Sequence, residues 1–174
     1  MTILDTVYHD ADPFAQSSSR SCWAAGAVIL FQWKKKRHYT ELEMAQLGGP
    51  EFVTALNDDT GLRGPRFADF ATRLGLSAEA PQNFTPDGYH TLLKRHGPLW
   101  IAAGLDAGGV RRHVRVLRGI SGDGSFDHTQ AWILDPDQGQ AYQSSMSEFA
   151  RELENIARDE VDAGRPLFTQ AIHF

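Results

Sequence analysis

Four residues in this sequence have the types and the order needed to open an amide bond. Cys22 is the chain's single cysteine, and it follows the run Gln16-Ser17-Ser18-Ser19-Arg20-Ser21. It stands at the expected start of a long helix. Free N–H groups and the positive end of the dipole stabilise a thiolate there, and the same N–H groups can face an oxyanion. Ser19 or Ser21 is the expected N-cap. Position alone leaves the inert reading of Cys22 standing, because free cysteine is among the most buried residue types.

A thiolate needs a base. Of the seven histidines, His9 and His173 lie near the ends, His38 closes a basic cluster, His90 and His96 belong to a helix, and His128 sits in a turn. His113 differs in opening the segment HVRVLRGI, whose β-branched residues read as a strand. An imidazole also needs an orienting group on its second nitrogen. Asp135 ends the next expected strand, TQAWIL. If the two strands form a hairpin, the end of one lies beside the start of the other, and His113 meets Asp135. Alone, His113 reads as a half-exposed edge histidine and Asp135-Pro136 as a strand-ending turn. Gln16, six residues before Cys22, is a candidate side-chain donor to an oxyanion.

The elements expected around these residues fall into two groups. Residues 22 to 36 carry apolar side chains nearly all round, which predicts a buried helix. Thr40-Glu41-Leu42-Glu43 has the form of a capping box and opens a second helix, ended by Gly48-Gly49. A third helix is expected over residues 65 to 74 with Gly75 just past its end, and a fourth from Pro86, capped by Thr85, to His96. From residue 98 onward strands dominate: 98–103, 113–120, 129–134 and a short one over 140–143. A capped helix over 147–160 and a closing strand within 167–174 complete the chain. Helices first and strands later is the α+β class. One domain, residues 1–174, is expected, with a helical lobe over about 14–97 and a β lobe over about 98–174.

Composition narrows the partners. The chain has 174 residues, 41% hydrophobic and 22% charged, with a net charge of −5. That balance argues against nucleic acid as the main partner. The basic run Lys34-Lys35-Lys36-Arg37 reads first as cations at a helix C-terminus. No apolar run approaches the roughly 20 residues of a membrane span. The start, MTILDTVYHD, carries no secretory signal. One cysteine excludes an internal disulfide framework and a Cys-rich zinc site, and no cofactor or metal is expected.

Taken together, Gln16, then Cys22-Trp23-Ala24-Ala25, then His113 and Asp135 resemble the papain-like cysteine proteases. Within them, the CWAA, HVRV…GISGDG and LDP segments resemble the short effector proteases of plant-pathogenic bacteria, whose third residue is an aspartate. The resemblance covers about residues 14–37 and 98–136. It implies a helical lobe carrying the nucleophile at a helix start, an antiparallel β-sheet or barrel carrying His and Asp, and a substrate cleft between them. In that frame Cys22, His113 and Asp135 are the catalytic residues and Gln16 the oxyanion donor. Trp23 is expected in the lobe interface, with shielding of the His–Asp pair as a family-style role, and Arg112 beside the cleft.

Three departures stand out. Ser17 to Ser21 replace the glycines and second cysteine common between Gln and Cys, which removes a disulfide. Val114 is bulkier than the small residue common after the histidine. Arg111-Arg112 precede His113, either as solvated charges or as a preference for acidic substrates. The 21 residues before Cys22 leave no room for a long inhibitory pro-segment.

The expected function is a cysteine peptidase acting on a protein or peptide. The expected setting is the bacterial cytoplasm or export by a signal-independent route, with an inhibitor or immunity protein as a further partner. The same machinery serves a peptidoglycan amidase or endopeptidase, a glutamine deamidase, or an inactive binding module.

Overall fold

The structure is a computed structural model describing residues 3–106 and 111–174. It opens on β1 (Leu4–Tyr8), a strand that no alternation in the sequence announces; it forms by pairing antiparallel with a strand more than 100 residues later. Helix α1 (Cys22–Lys35) follows, with all residues from Trp23 to Phe31 buried. It stops where Lys36 turns left-handed, φ 54°, with Lys34 and Lys35 at the negative end of the dipole.

Helix α2 (Glu41–Gly48) carries both halves of the Thr40–Glu43 capping box. Gly49, φ 117°, breaks it, and Pro50 at once nucleates α3 (Pro50–Asn57), a helix missing from the expectations above. The helix expected over 65–74 is split: a 3₁₀ turn at Gly64–Arg66 precedes α4 (Phe67–Arg73). The two-residue strand β2 (Ser77–Ala78) and α5 (Pro86–His96), capped by Thr85, complete the first half.

The second half is the antiparallel sheet. It contains β3 (Leu99–Gly104), β4 (Arg112–Gly122), β5 (Gln130–Asp135), β6 (Gln140–Ser145) and, after α6 (Met146–Asp162), β7 (Ala171–His173). Ser145 caps α6 through the Glu148 N–H. The strand order is β2-β7-β3-β4-β5-β6, with β1 on β4. The expected hairpin forms, with Val116 opposite Leu134 and Ile120 opposite Ala131. A register shift between Leu117 and Gly119 interrupts it.

The strand alternation of β4 serves two cores. Val114 and Val116 join α1, α2 and α4 in one cluster; Leu117 joins α5, α6 and the opposite face of β3 in the other. Tyr89 and Leu93 of α5 pack with the sheet, not with α1 to α4. Among the described residues no helix is long and apolar enough to cross a membrane.

Candidate active site

Cys22 is the first residue of α1, so the helical ladder offers its N–H no acceptor. Ser21 occupies the N-cap position, but its hydroxyl does not cap the helix. Instead the Ser21 Oγ accepts from the Ser18 N–H at 3.1 Å and is turned to the Ser18 carbonyl at 3.2 Å. Ser19 does not cap either. The serine run is held from outside by two carboxylates. Asp59 accepts from the Ser18 Oγ (2.8 Å), the Ser19 Oγ (2.6 Å) and the Arg20 N–H (2.8 Å). Buried Glu41 accepts from the Ser17 N–H at 3.2 Å and from the Ser17 hydroxyl. These bonds, led by those from Ser19 and Ser18, hold the Asp59 carboxyl below its usual range.

Helix α1 is pressed close to the sheet at Gly26, one turn below Cys22. A Cβ there would lie 2.8 Å from Trp100 Cδ1 and 2.9 Å from Val114 Cγ1. The Trp100 indole donates to the Trp23 carbonyl at 3.0 Å, a second tie between α1 and β3. Close approach at this end brings Cys22 opposite the start of β4.

His113 sits there, 13% exposed, with Nε2 2.5 Å from Asp135 Oδ1. Cys22, which lines the same cleft, is the second group that favours the charged ring. Burial disfavours the imidazolium, but the bonds to Asp135 and Cys22 outweigh it and raise the His113 pKa to about 9. Burial also opposes ionisation of Asp135, yet His113 and the Asp137 N–H (2.9 Å) hold it in the charged form, below the usual carboxylate range. In register terms Asp135 follows Leu134, the partner of Val116, so His113 reaches it diagonally.

A cleft of about 860 Å³ opens beside this group. Ser19, Arg20, Cys22 and the Gly61–Phe67 loop line one side, and Arg112, His113 and Val114 line the other. Gly64 is required by close approach, since a Cβ would fall 2.2 Å from the Phe168 ring. Trp23 and Arg112 both border the cleft. The Trp23 ring points away, against Phe70 (5.0 Å) and Phe52 (6.1 Å) in the helical core, so it does not cover the His–Asp pair. Arg112 is not merely solvated: it bonds Glu160 at 2.5 Å and Asp159 at 3.3 Å, both on α6.

Gln16 is placed differently from the other three. Its backbone N–H bonds the Pro136 carbonyl at 2.8 Å, which anchors it beside the Asp135 turn. Its side-chain nitrogen donates into its own loop, to the carbonyls of Ser18 (2.8 Å) and Ser19 (3.2 Å). Among the described residues its Oε1 is buried without a partner, and Gln16 is not among those lining the cleft.

Sequence reasoning missed the residues beyond Asp135. The Tyr142 hydroxyl lies 3.1 Å from Asp135 Oδ2 and 2.9 Å from a guanidinium nitrogen of Arg115, which also bonds Glu152. The signal was Arg115 set between Val114 and Val116, a charge in the buried stretch of β4.

The model of one family, described as papain-like cysteine protease AvrRpt2, matches residues 6–154. No curated protein matches. Among solved structures, the chain is similar to a double glycine motif protease from an AMS/PCAT transporter, solved in complex with the leader peptide. The two are 20% identical with a TM-score of 0.56, over 100% of this chain and 97% of that one. It is also similar to the peptidase domain of Streptococcus ComA, a bifunctional ABC transporter involved in quorum sensing. Here identity is 17% and the TM-score 0.57, over 82% and 91% of the two chains. Both likenesses concern the fold, and the family match spans both the α1 segment and the sheet, so the chain belongs to the AvrRpt2 family of papain-like cysteine proteases.

Proposed function

We propose that this cysteine protease works through Cys22 as nucleophile, His113 as acid and base, and Asp135 as the group that orients the imidazole. The observation that carries this is that Cys22 and His113 line one cleft, with His113 Nε2 2.5 Å from Asp135 Oδ1. The Cys22 thiolate attacks the carbonyl carbon of a peptide bond. The tetrahedral oxyanion meets the Cys22 N–H. The imidazolium gives its proton to the leaving nitrogen as the C–N bond breaks. Water, deprotonated by His113, then attacks the thioester, releasing the acid and restoring the thiol.

Gln16 is the second oxyanion donor in this reading. Its present bonds are those of a resting loop. An orphaned buried acceptor costs about 1–3 kcal/mol, and a developing oxyanion is a stronger acceptor than two neutral carbonyls. The amide therefore has reason to turn when substrate arrives.

The substrate is an extended peptide segment laid along the cleft. Residues 1–174 act as a single domain, and the protein serves as an effector exported by a bacterium, with a cognate inhibitor as partner.

The test is alkylation of Cys22 by iodoacetamide against pH, alongside cleavage of a denatured protein. A thiolate present well below the free-thiol value of about 8.5, and lost in His113→Ala, is the expected result. Cleavage should fall about 10²–10⁴-fold in His113→Ala. In Gln16→Ala it should fall about 10²-fold with alkylation unchanged. An ordinary thiol in both wild type and His113→Ala would sink the reading. Release from purified peptidoglycan but not from protein would redirect it to cell-wall amides.

A further inference from the structure

We infer that Tyr142, held by Arg115 and Glu152, is a positioning residue for Asp135 and, through it, for the His113 imidazole. The inference rests on the triad reading above and deepens it.

The polarity of the chain of bonds is forced. A guanidinium only donates, so Arg115 gives an N–H to the Tyr142 oxygen at 2.9 Å. Tyr142 then has a single proton, and the acceptor within reach is Asp135 Oδ2 at 3.1 Å. The other carboxylate oxygen, Oδ1, is taken by His113 and by the Asp137 N–H. Both oxygens of Asp135 are thus committed. The carboxylate cannot turn away from the imidazole without breaking the bond to Tyr142.

Strand geometry makes this arrangement deliberate. His113 and Arg115 are two apart on β4 and share a face. Tyr142 on β6 pairs with Ile133 on β5, two residues before Asp135, so both lie on that same face. Helix α6 covers it and supplies Glu152 to the far side of Arg115. Arg115 is only 3% exposed. Burying such a cation is unfavourable unless its partners are well placed, and an apolar residue of similar volume would pack the face at least as well. The charge is retained where it fixes a tyrosine proton on Asp135.

The charged groups facing His113 are few among the described residues. They are the Cys22 thiol from α1, Asp135 from β5, and its strand neighbour Arg112, itself tied to Asp159 and Glu160 of α6. Tyr142, Arg115 and Glu152 act one bond further out.

The test uses Cys22 alkylation by iodoacetamide against pH in the full chain, with wild type, His113→Ala and Tyr142→Phe compared. Tyr142→Phe keeps the ring and removes both charge-linked hydrogen bonds of the hydroxyl, the one from Arg115 and the one to Asp135. The expected result is alkylation at pH 6 slowed about tenfold, between wild type and His113→Ala, with cleavage of denatured protein slowed in parallel. A purely structural tyrosine would lower the melting temperature and leave the thiolate population alone. A Tyr142→Phe profile within twofold of wild type overturns the inference while leaving the triad intact. A wild-type profile identical to His113→Ala overturns the triad reading, and this one with it. If Tyr142→Phe fails to fold, Glu152→Gln serves. It leaves the Arg115 charge uncompensated near Asp135, and should also slow alkylation at pH 6; an unchanged rate again overturns the inference.

Discussion

At His113, burial and hydrogen bonding pull in opposite directions, and the bonds win. Desolvation alone would keep the ring neutral at pH 7. Asp135 and Cys22 together raise its pKa from 6.5 to about 9. A group whose folded value is raised lends stability below its unfolded value, and loses it as pH rises through the folded one. His113 should therefore stabilise the fold fully below about pH 6.5 and cease to do so above about pH 9. Melting temperatures of wild type and His113→Ala, followed from pH 6 to 10, should converge on the alkaline side. With His113 in its proposed role as the acid, cleavage should fall over the same interval, because the imidazolium is titrated away. A gap of the same size at pH 6 and at pH 10 would contradict the assignment of that pKa to His113. The placement of Cys22, His113 and Asp135 was legible in sequence because each sits at or beside the end of an element: a helix start, a strand start and a strand stop. Tyr142, Arg115 and Glu152 were not, since they come together from β4, β6 and α6 through register and packing.

At the level of elements, the reach between α1 and the sheet decides whether the thiol meets the ring. Gly26 lies four residues after Cys22 and on the same helical face, with no space for a methyl group against Trp100 and Val114. In Gly26→Ala the gain in helix propensity is outweighed by overpacking, at about 1–3 kcal/mol. The start of α1 should be pushed off β4. Chemical denaturation should report the lost stability, and Cys22 alkylation at pH 6 should slow although no reacting group has changed. Normal alkylation at pH 6 would show that the contact at Gly26 does not set the distance at Cys22. The caps at Thr40, Thr85 and Ser145 explain why three helix starts could be read directly, since each hydroxyl accepts from a nearby N–H of its own helix. β1 could not be read, because its pairing partner lies on the far side of the chain in sequence. The helix α3 was hidden by Gly48-Gly49, which reads as an end but is followed at once by Pro50 at a first helical position.

On the scale of the molecule, α6 ties the tail of the chain to the edge of the sheet that carries His113. Glu160 is buried on α6 and accepts from Arg112 beside His113 and from Arg165 at 2.8 and 3.0 Å. The bonds from Arg165 and Arg112 overcome the effect of burial and hold its carboxyl at about 2. Its contribution is thus present above the ordinary glutamate value and is lost only as pH falls through about 2. Glu160→Gln removes the charge and leaves two half-exposed arginines able to reach water, at about 1–2 kcal/mol. For a domain of this size that lowers the melting temperature by about 2–8 °C, measurable by calorimetry at pH 7. An unchanged melting temperature would mean that the clamp is replaced by solvent without loss.

The loop that precedes Cys22 carries a consequence of its own. Serine hydroxyls on Asp59 and Glu41 hold it in place. Cys22 is the chain's only sulfhydryl, so thiol reductants have no structural bond to cut. Oxidants have one sulfhydryl to strike, and a sulfenic acid there would silence the enzyme while the loop stays in place. Glutathione could then switch activity back on without any refolding.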